Sequence, residues 1–223
     1  MSNGILVINP NSNKEVTAAI DCALDPLRTP DAPPIECMTI AEGPYGIESQ
    51  RDADAAAPNV SRVIEENVSK AAAFVVACYS DPGLRAAREV TDKPVFGMAE
   101  TGLATALSLG GKIGVISILP AAVERHWVYA RSLQLDNRVV ADLPVGLTVA
   151  ELANEDATTA RMLSTGRRLR EEHGATVILL GCAGMARYRK ILQEELQLVV
   201  IDPTQAAVAA AITALRLDYQ VRS

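Results

Sequence analysis

The same alternation of short apolar runs and longer amphipathic stretches passes along this chain twice, and that doubling restricts its fold more than any other feature. In each half an early apolar run ends in a small polar residue, Asn9 after Gly4-Ile-Leu-Val-Ile and Ser117 after Lys112-Ile-Gly-Val-Ile. A later run ends in a cysteine that opens a glycine-bearing turn, Cys78 in the first half and Cys182 in the second. Asn9 and Cys78 lie 69 residues apart, and Ser117 and Cys182 lie 65 apart. A chain of 223 residues has room for two such units of about 100 residues each.

Runs too short for helices, alternating with helical periods, predict strands of a largely parallel sheet with helices between them. The first-half strands fall at 5–9, 35–40, 73–77 and 95–96, and the second-half strands at 113–117, 139–142, 177–180 and 199–201. Helices are expected over 12–24, 52–69, 83–90, 100–109, 121–132, 156–172, 185–195 and 204–217. Gly110-Gly111 reads as a helix stop, Pro203 as a first helical residue, and Asp81-Pro82 as the cap and start of the helix after Cys78. The fold class is therefore α/β: two pseudo-symmetric lobes, each a four-stranded, mostly parallel sheet flanked by helices, with the active site in the cleft between them. Residues 1–98 with 206–223 are expected to form the first lobe, its last helix returning from the second, and 99–205 the second lobe.

In open α/β sheets, ligands gather beyond the carboxyl ends of the strands. Asn9, Cys78, Ser117 and Cys182 all fall at that edge, and the loop 41–49 is expected to wall or cover the cleft. A thiolate serves as a base or nucleophile, and a helix N-terminus after each cysteine would favour it. Two thiols on opposite walls could serve the two faces of one carbon atom.

Other chemistries fit less well. The histidines, His126 within a helix and His173 at a helix end, read as structural, which leaves Ser-His-Asp and Cys-His arrangements without a base. Cys22 and Cys37 read as packing residues. The four cysteines stand singly, without a C-x-x-C pair, so no metal site is indicated; phosphate-binding glycine patterns are absent, so no nucleotide cofactor is indicated. A net charge of −6 gives no broad attraction for nucleic acid or an anionic membrane, and no apolar run reaches the length of a membrane span. The start of the chain lacks the pattern of a secretory signal, which makes the cytoplasm the expected compartment.

At these residues the chain resembles the aspartate/glutamate/hydantoin racemase superfamily, and most closely its hydantoin and allantoin racemase branch. The resemblance spans nearly the whole chain. It is carried by Ile8-Asn9-Pro10-Asn11-Ser12-Asn13, Cys78-Tyr79-Ser80-Asp81-Pro82-Gly83-Leu84, Gly97-Met98-Ala99-Glu100, Gly114-Val115-Ile116-Ser117, Gly181-Cys182-Ala183-Gly184-Met185 and Ile201-Asp202-Pro203. It implies Cys78 and Cys182 as an acid/base pair, no cofactor or metal, a small-molecule substrate and a homo-oligomer. The amino-acid racemases usually carry Cys-Asn-Thr and Cys-Thr-Glu at these turns, unlike Cys78-Tyr79-Ser80 and Cys182-Ala183-Gly184. Arylmalonate decarboxylases keep only the second cysteine. Hydantoin racemases tend to have paired threonines where Ser117-Ile118 stands.

The activity so implied is cofactor-independent racemisation of 5-substituted hydantoins or allantoin. A maleate isomerase-like or decarboxylase-like enzyme, or a non-catalytic binding protein, are the alternatives. Asn11, Ser80 and Ser117 are expected to hydrogen-bond the substrate ring, Ala183 and Gly184 to face it, and Tyr45 to touch it from the lid. Neither cysteine turn carries Arg or Lys, which suits a neutral ring.

Overall fold

The computed structural model describes residues 4–219. Residues 1–3 and 220–223, which the expected first lobe includes, lie outside the described residues. The first half supplies β1 (Gly4–Asn9), α1 (Lys14–Ala23), β2 (Ile35–Thr39), α2 (Gln50–Asn67), β3 (Ala71–Val76), α3 (Leu84–Ala87) and β4 (Val95–Gly97). From it α4 (Met98–Leu109) leads to β5 (Ile113–Ser117), α5 (Pro120–Ser132), β6 (Val139–Pro144), α6 (Glu155–Glu171), β7 (Val177–Leu180), α7 (Arg189–Leu196), β8 (Val199–Ile201) and α8 (Pro203–Arg216). The two sheets have strand orders β2-β1-β3-β4 and β6-β5-β7-β8, the same permutation twice, and every pairing is parallel.

The strands are apolar throughout because both faces are covered, and their period of two sorts side chains between layers. Ile5, Val7, Ala73 and Val75 point into a core that runs on into the second sheet through Val115, Leu179, Met98 and Val208. Leu6, Ile8, Phe74 and Val76 point the other way, against Val60 and Ile64 of α2. The halves therefore share one core. After leaving the second sheet, α8 packs on β1, β3, β4 and α4.

Sequence punctuation and structure agree at several ends. Pro203 is the first residue of α8, and the Asp202 side chain accepts from Thr204 N and Gln205 N at 2.7 and 3.2 Å. Gly111, at φ +81°, takes the left-handed turn after α4. Asp81-Pro82, in contrast, does not begin a helix: α3 has four residues and starts at Leu84 behind Gly83, which is left-handed at φ +72°. Only glycine suits that place, since a Cβ there would lie 2.6 Å from Ala57 O. The stretch after Cys182 is a 3₁₀ turn over Ala183–Tyr188, and α7 begins only at Arg189. Cys37 packs partly buried against the core, whereas Cys22, expected in packing, is exposed. No helix among the described residues is long and apolar enough to cross a membrane.

Candidate active site

Backbone geometry repeats at the two cysteines. Ala77 N donates to Ile8 O and Gly181 N to Ile116 O, both at 2.8 Å, so each segment leaves its strand while still tied to the central one. One residue later come the cysteines, whose carbonyls accept from the amide three residues on, Asp81 N at 2.9 Å and Met185 N at 3.1 Å. The backbone N–H groups of Ser80 and Gly184 take equivalent places beside the Cys78 and Cys182 sulfurs. Two copies of one turn therefore present two thiols to a common cleft, lined also by Asn11, Ile47, Tyr79, Ser80, Ile118, Ala122, Arg125, His126, Val149 and Ala183. In this closed form the cleft's free volume is about 30 Å³, room for a few water molecules, so the walls must part to admit a ring.

Enclosure sets the protonation of the thiols. Burial pushes Cys78 up to about 12, with Cys182 and Asp81 raising it further while Arg125 and the Ser80 N–H oppose the rise. Burial likewise pushes Cys182 up to about 11, opposed by the Gly184 N–H and reinforced by Glu48 and Asp202. This reverses the sequence expectation of helix-stabilised thiolates. A one-turn helix and a 3₁₀ turn carry too little aligned dipole to offset desolvation. Both cysteines are thiols in the resting cleft at neutral pH.

Asn11 reaches the cleft through the loop after β1. Asn9 Nδ2 donates to Asn11 Oδ1, Asn13 O and Thr17 Oγ1 at 3.0, 3.2 and 3.0 Å, and Asn13 N also donates to Asn11 Oδ1 at 3.0 Å. This web occupies the Asn11 oxygen and fixes its side chain. The loop after β2 does form a cleft wall, but through Ile47; Tyr45, expected as the lid contact, is 62% exposed and outside the cleft. Glu48 ties this loop to the one after β6: its Oε1 accepts from Val149 N at 2.9 Å and its carbonyl accepts from Arg125 Nη1 at 3.0 Å.

Of the other expected contacts, Ser80 and Ala183 line the cleft. The Gly184 backbone N–H serves Cys182, while the residue itself lines a neighbouring hollow. Ser117 is wholly buried and does not reach the cleft, because its hydroxyl donates to Asp142 Oδ1. His126 Nδ1 donates to Asp142 Oδ2 at 2.7 Å and lies 3.1 Å from Ser117 Oγ. His126, read from sequence as purely structural, also lines the cleft and meets the Tyr79 ring edge-on, with centroids 4.7 Å apart. One histidine nitrogen thus faces both serine and aspartate, which is not the geometry of a Ser-His-Asp triad.

Arg125 is the other cleft residue that sequence reasoning missed. The signal was available in its place on α5, one turn past the β5 edge, but Arg125 lies far from either cysteine in sequence. Among the described residues no three His, Cys, Asp or Glu side chains converge so as to hold a metal ion.

Two parallel four-stranded units that bring one thiol each to a shared cleft define a two-lobed α/β protein. Comparison places it further: the Asp/Glu/hydantoin racemase family pattern matches residues 5–211, and the chain belongs to that family. It is 36% identical over 215 residues to the hydantoin racemase of Pseudomonas sp. (strain NS671), covering 96% of this chain and 86% of that one. It is 33% identical over 220 residues to the hydantoin racemase of Paenarthrobacter aurescens, covering 97% and 92%. The structure of an allantoin racemase from Klebsiella pneumoniae superposes with a TM-score of 0.92 at 27% identity, covering 99% of this chain and 91% of that one. The protein is an isomerase of the racemase kind.

Proposed function

We propose that this enzyme racemises 5-substituted hydantoins, allantoin among them, with Cys78 and Cys182 as the acid/base pair. The observation that carries the reading is the repeated turn: two thiols held in equivalent backbone settings on the walls of one cleft. The names of the relatives, hydantoin and allantoin racemases, support the same substrate class.

One of the two resting thiols first gives its proton to water; from that thiolate/thiol pair onward the chemistry balances without a net proton. One cysteine, as thiolate, removes the hydrogen on C5 as a proton and becomes a thiol. The electron pair moves onto the adjacent carbonyl as an enolate, and the opposite thiol then delivers its proton to the other face of C5, becoming the thiolate. The pair is left poised for the reverse direction. Burial, which makes each thiolate scarce, also makes it a stronger base once formed, suited to a weakly acidic C–H. Backbone N–H groups of the two turns and the Asn11 amide supply donors for the developing oxyanion.

The test is isotope exchange in deuterated water with C78S and C182S. Each variant is expected to lose racemisation while washing the C5 hydrogen out of one enantiomer only, a different one in each. Racemisation at the wild-type rate by either variant would refute the two-thiol mechanism.

A further inference from the structure

We infer that Arg125 touches the substrate and selects molecules whose reacting carbon bears a substituent ending in a carboxylate; the placement of that substituent rests on the racemase reading above. Arg125 lies in the wall shared by the cleft and an outer groove of about 270 Å³, with Ser80 as the other shared residue. Its Nη1 is committed, donating to Glu48 O and Ala121 O at 3.0 Å each. Its Nε is buried and has no partner, and Nη2 makes no hydrogen bond among the described residues.

The free edge of the guanidinium is therefore Nε with Nη2, the parallel pair of donors that matches the two oxygens of a carboxylate. No group among the described residues fills that role. Several arginines lack a carboxylate partner among the described residues, but Arg125 is the one whose Nε is also buried and without an acceptor. Burial apart, Cys78 acts most strongly on Arg125 and Asp52 is the carboxylate that does; Asp52 spends its Oδ2 on Glu48 N, Ser49 N and Ser49 Oγ, while Asp54, in the outer groove, accepts from Gln50. A partly buried cation whose forked edge lacks an acceptor, beside a reactive cleft, is arranged for an anionic group brought by the ligand. Neither cysteine turn carries Arg or Lys, as the sequence shows, and the cation reaches the cleft from α5 instead.

The test compares 5-(carboxymethyl)hydantoin with 5-(carbamoylmethyl)hydantoin, which match in shape and differ in charge, on wild-type enzyme, R125Q and R125K. Calorimetry measures binding and polarimetry measures racemisation. Wild type is expected to bind the acid about tenfold more tightly than the amide; R125Q should bring that ratio to about one, and R125K should keep part of it because charge remains without the fork. Using a ratio of two ligands on each variant separates selectivity from any general loss of folded protein. Equal binding of the two ligands by wild type, or an unchanged ratio in R125Q, overturns the assignment. Charge-selective binding without racemisation of either compound would sustain Arg125 and sink the proposed reaction. Racemisation of both at equal kcat/KM would sustain the reaction and sink Arg125's role.

Discussion

The Tyr129 hydroxyl donates to Asp81 Oδ2 over 2.7 Å, joining α5 of the second half to the turn that begins at Cys78 in the first. The same carboxylate accepts from Ala99 N and Glu100 N at 3.0 and 2.9 Å and so caps α4, the segment linking the two sheets. Asp81 adopts a left-handed conformation at φ +42° to make these bonds. One side chain thus fixes the turn, the interlobe connection and the helix that carries Arg125 and His126.

Replacing Asp81 by alanine leaves two helix-terminal amides and a phenol without their acceptor, and should cost about 2–4 kcal/mol in denaturant unfolding. Tyr129→Phe, which removes one donor, should cost about 1 kcal/mol. The pH dependence has a definite sign. Burial raises Asp81 from its ordinary 3.8 to about 6, so its proton-linked contribution is full below the unfolded value and is lost as pH rises through 6. The stability deficit of D81N relative to wild type should therefore be larger at pH 4 than at pH 8.

Asp142 holds both Ser117 and His126 from inside the second sheet. Asp142→Ala strips a buried hydroxyl and a buried imidazole of their shared acceptor, at a cost of about 2–4 kcal/mol. Since His126 lines the cleft and abuts Tyr79, turnover should also fall at temperatures where the variant remains folded. Asp142→Asn, which keeps one acceptor oxygen, should recover part of both losses. Full activity in the folded alanine variant would show that the histidine's position is immaterial.

Alkylation by a neutral reagent, read peptide by peptide by mass spectrometry, reports the thiolates directly. With Cys78 pushed up to about 12 and Cys182 to about 11, both should react slowly at pH 7, and each rate should rise about tenfold per pH unit up to pH 9. Exposed Cys22 should be modified first. A plateau in either cleft cysteine's rate near pH 7 would mean that the closed cleft stabilises a thiolate after all.

Pattern and periodicity made the scaffold legible. Strand 113–117 and strand 199–201 fall where the apolar runs put them, because fully covered parallel strands must be continuously apolar. The thiol pair was legible for the same reason: a strand end in a duplicated unit has a fixed place in space. Residues that reach the cleft from elsewhere were not. Arg125 and His126 lie on a helix whose rotation about its axis depends on packing, which composition does not record. Ser117 was misplaced because a strand-end hydroxyl looks available until its acid partner on the neighbouring strand, Asp142, is known. Tyr45 was misplaced because a loop's wall-facing residue, Ile47 here, is set by the loop's path and not by its chemistry.

Glu48 couples closure of the cleft to the state of one thiol. Its carboxylate accepts from Val149 N and so straps the loops after β2 and β6 together, while its negative charge helps hold Cys182 protonated. Glu48→Gln keeps an oxygen for Val149 N but removes the charge. The Cys182 thiolate should become more abundant, with alkylation at pH 8 rising about threefold, a shift of about half a pH unit. Cys78 should change less, since Glu48 is not among the leading influences on it. Glu48→Ala removes the strap as well, so access improves for both thiols and both alkylation rates should rise. If glutamine and alanine accelerate Cys182 equally and leave Cys78 alone, the carboxylate acts through its charge only and the Val149 bond contributes nothing to keeping the cleft shut.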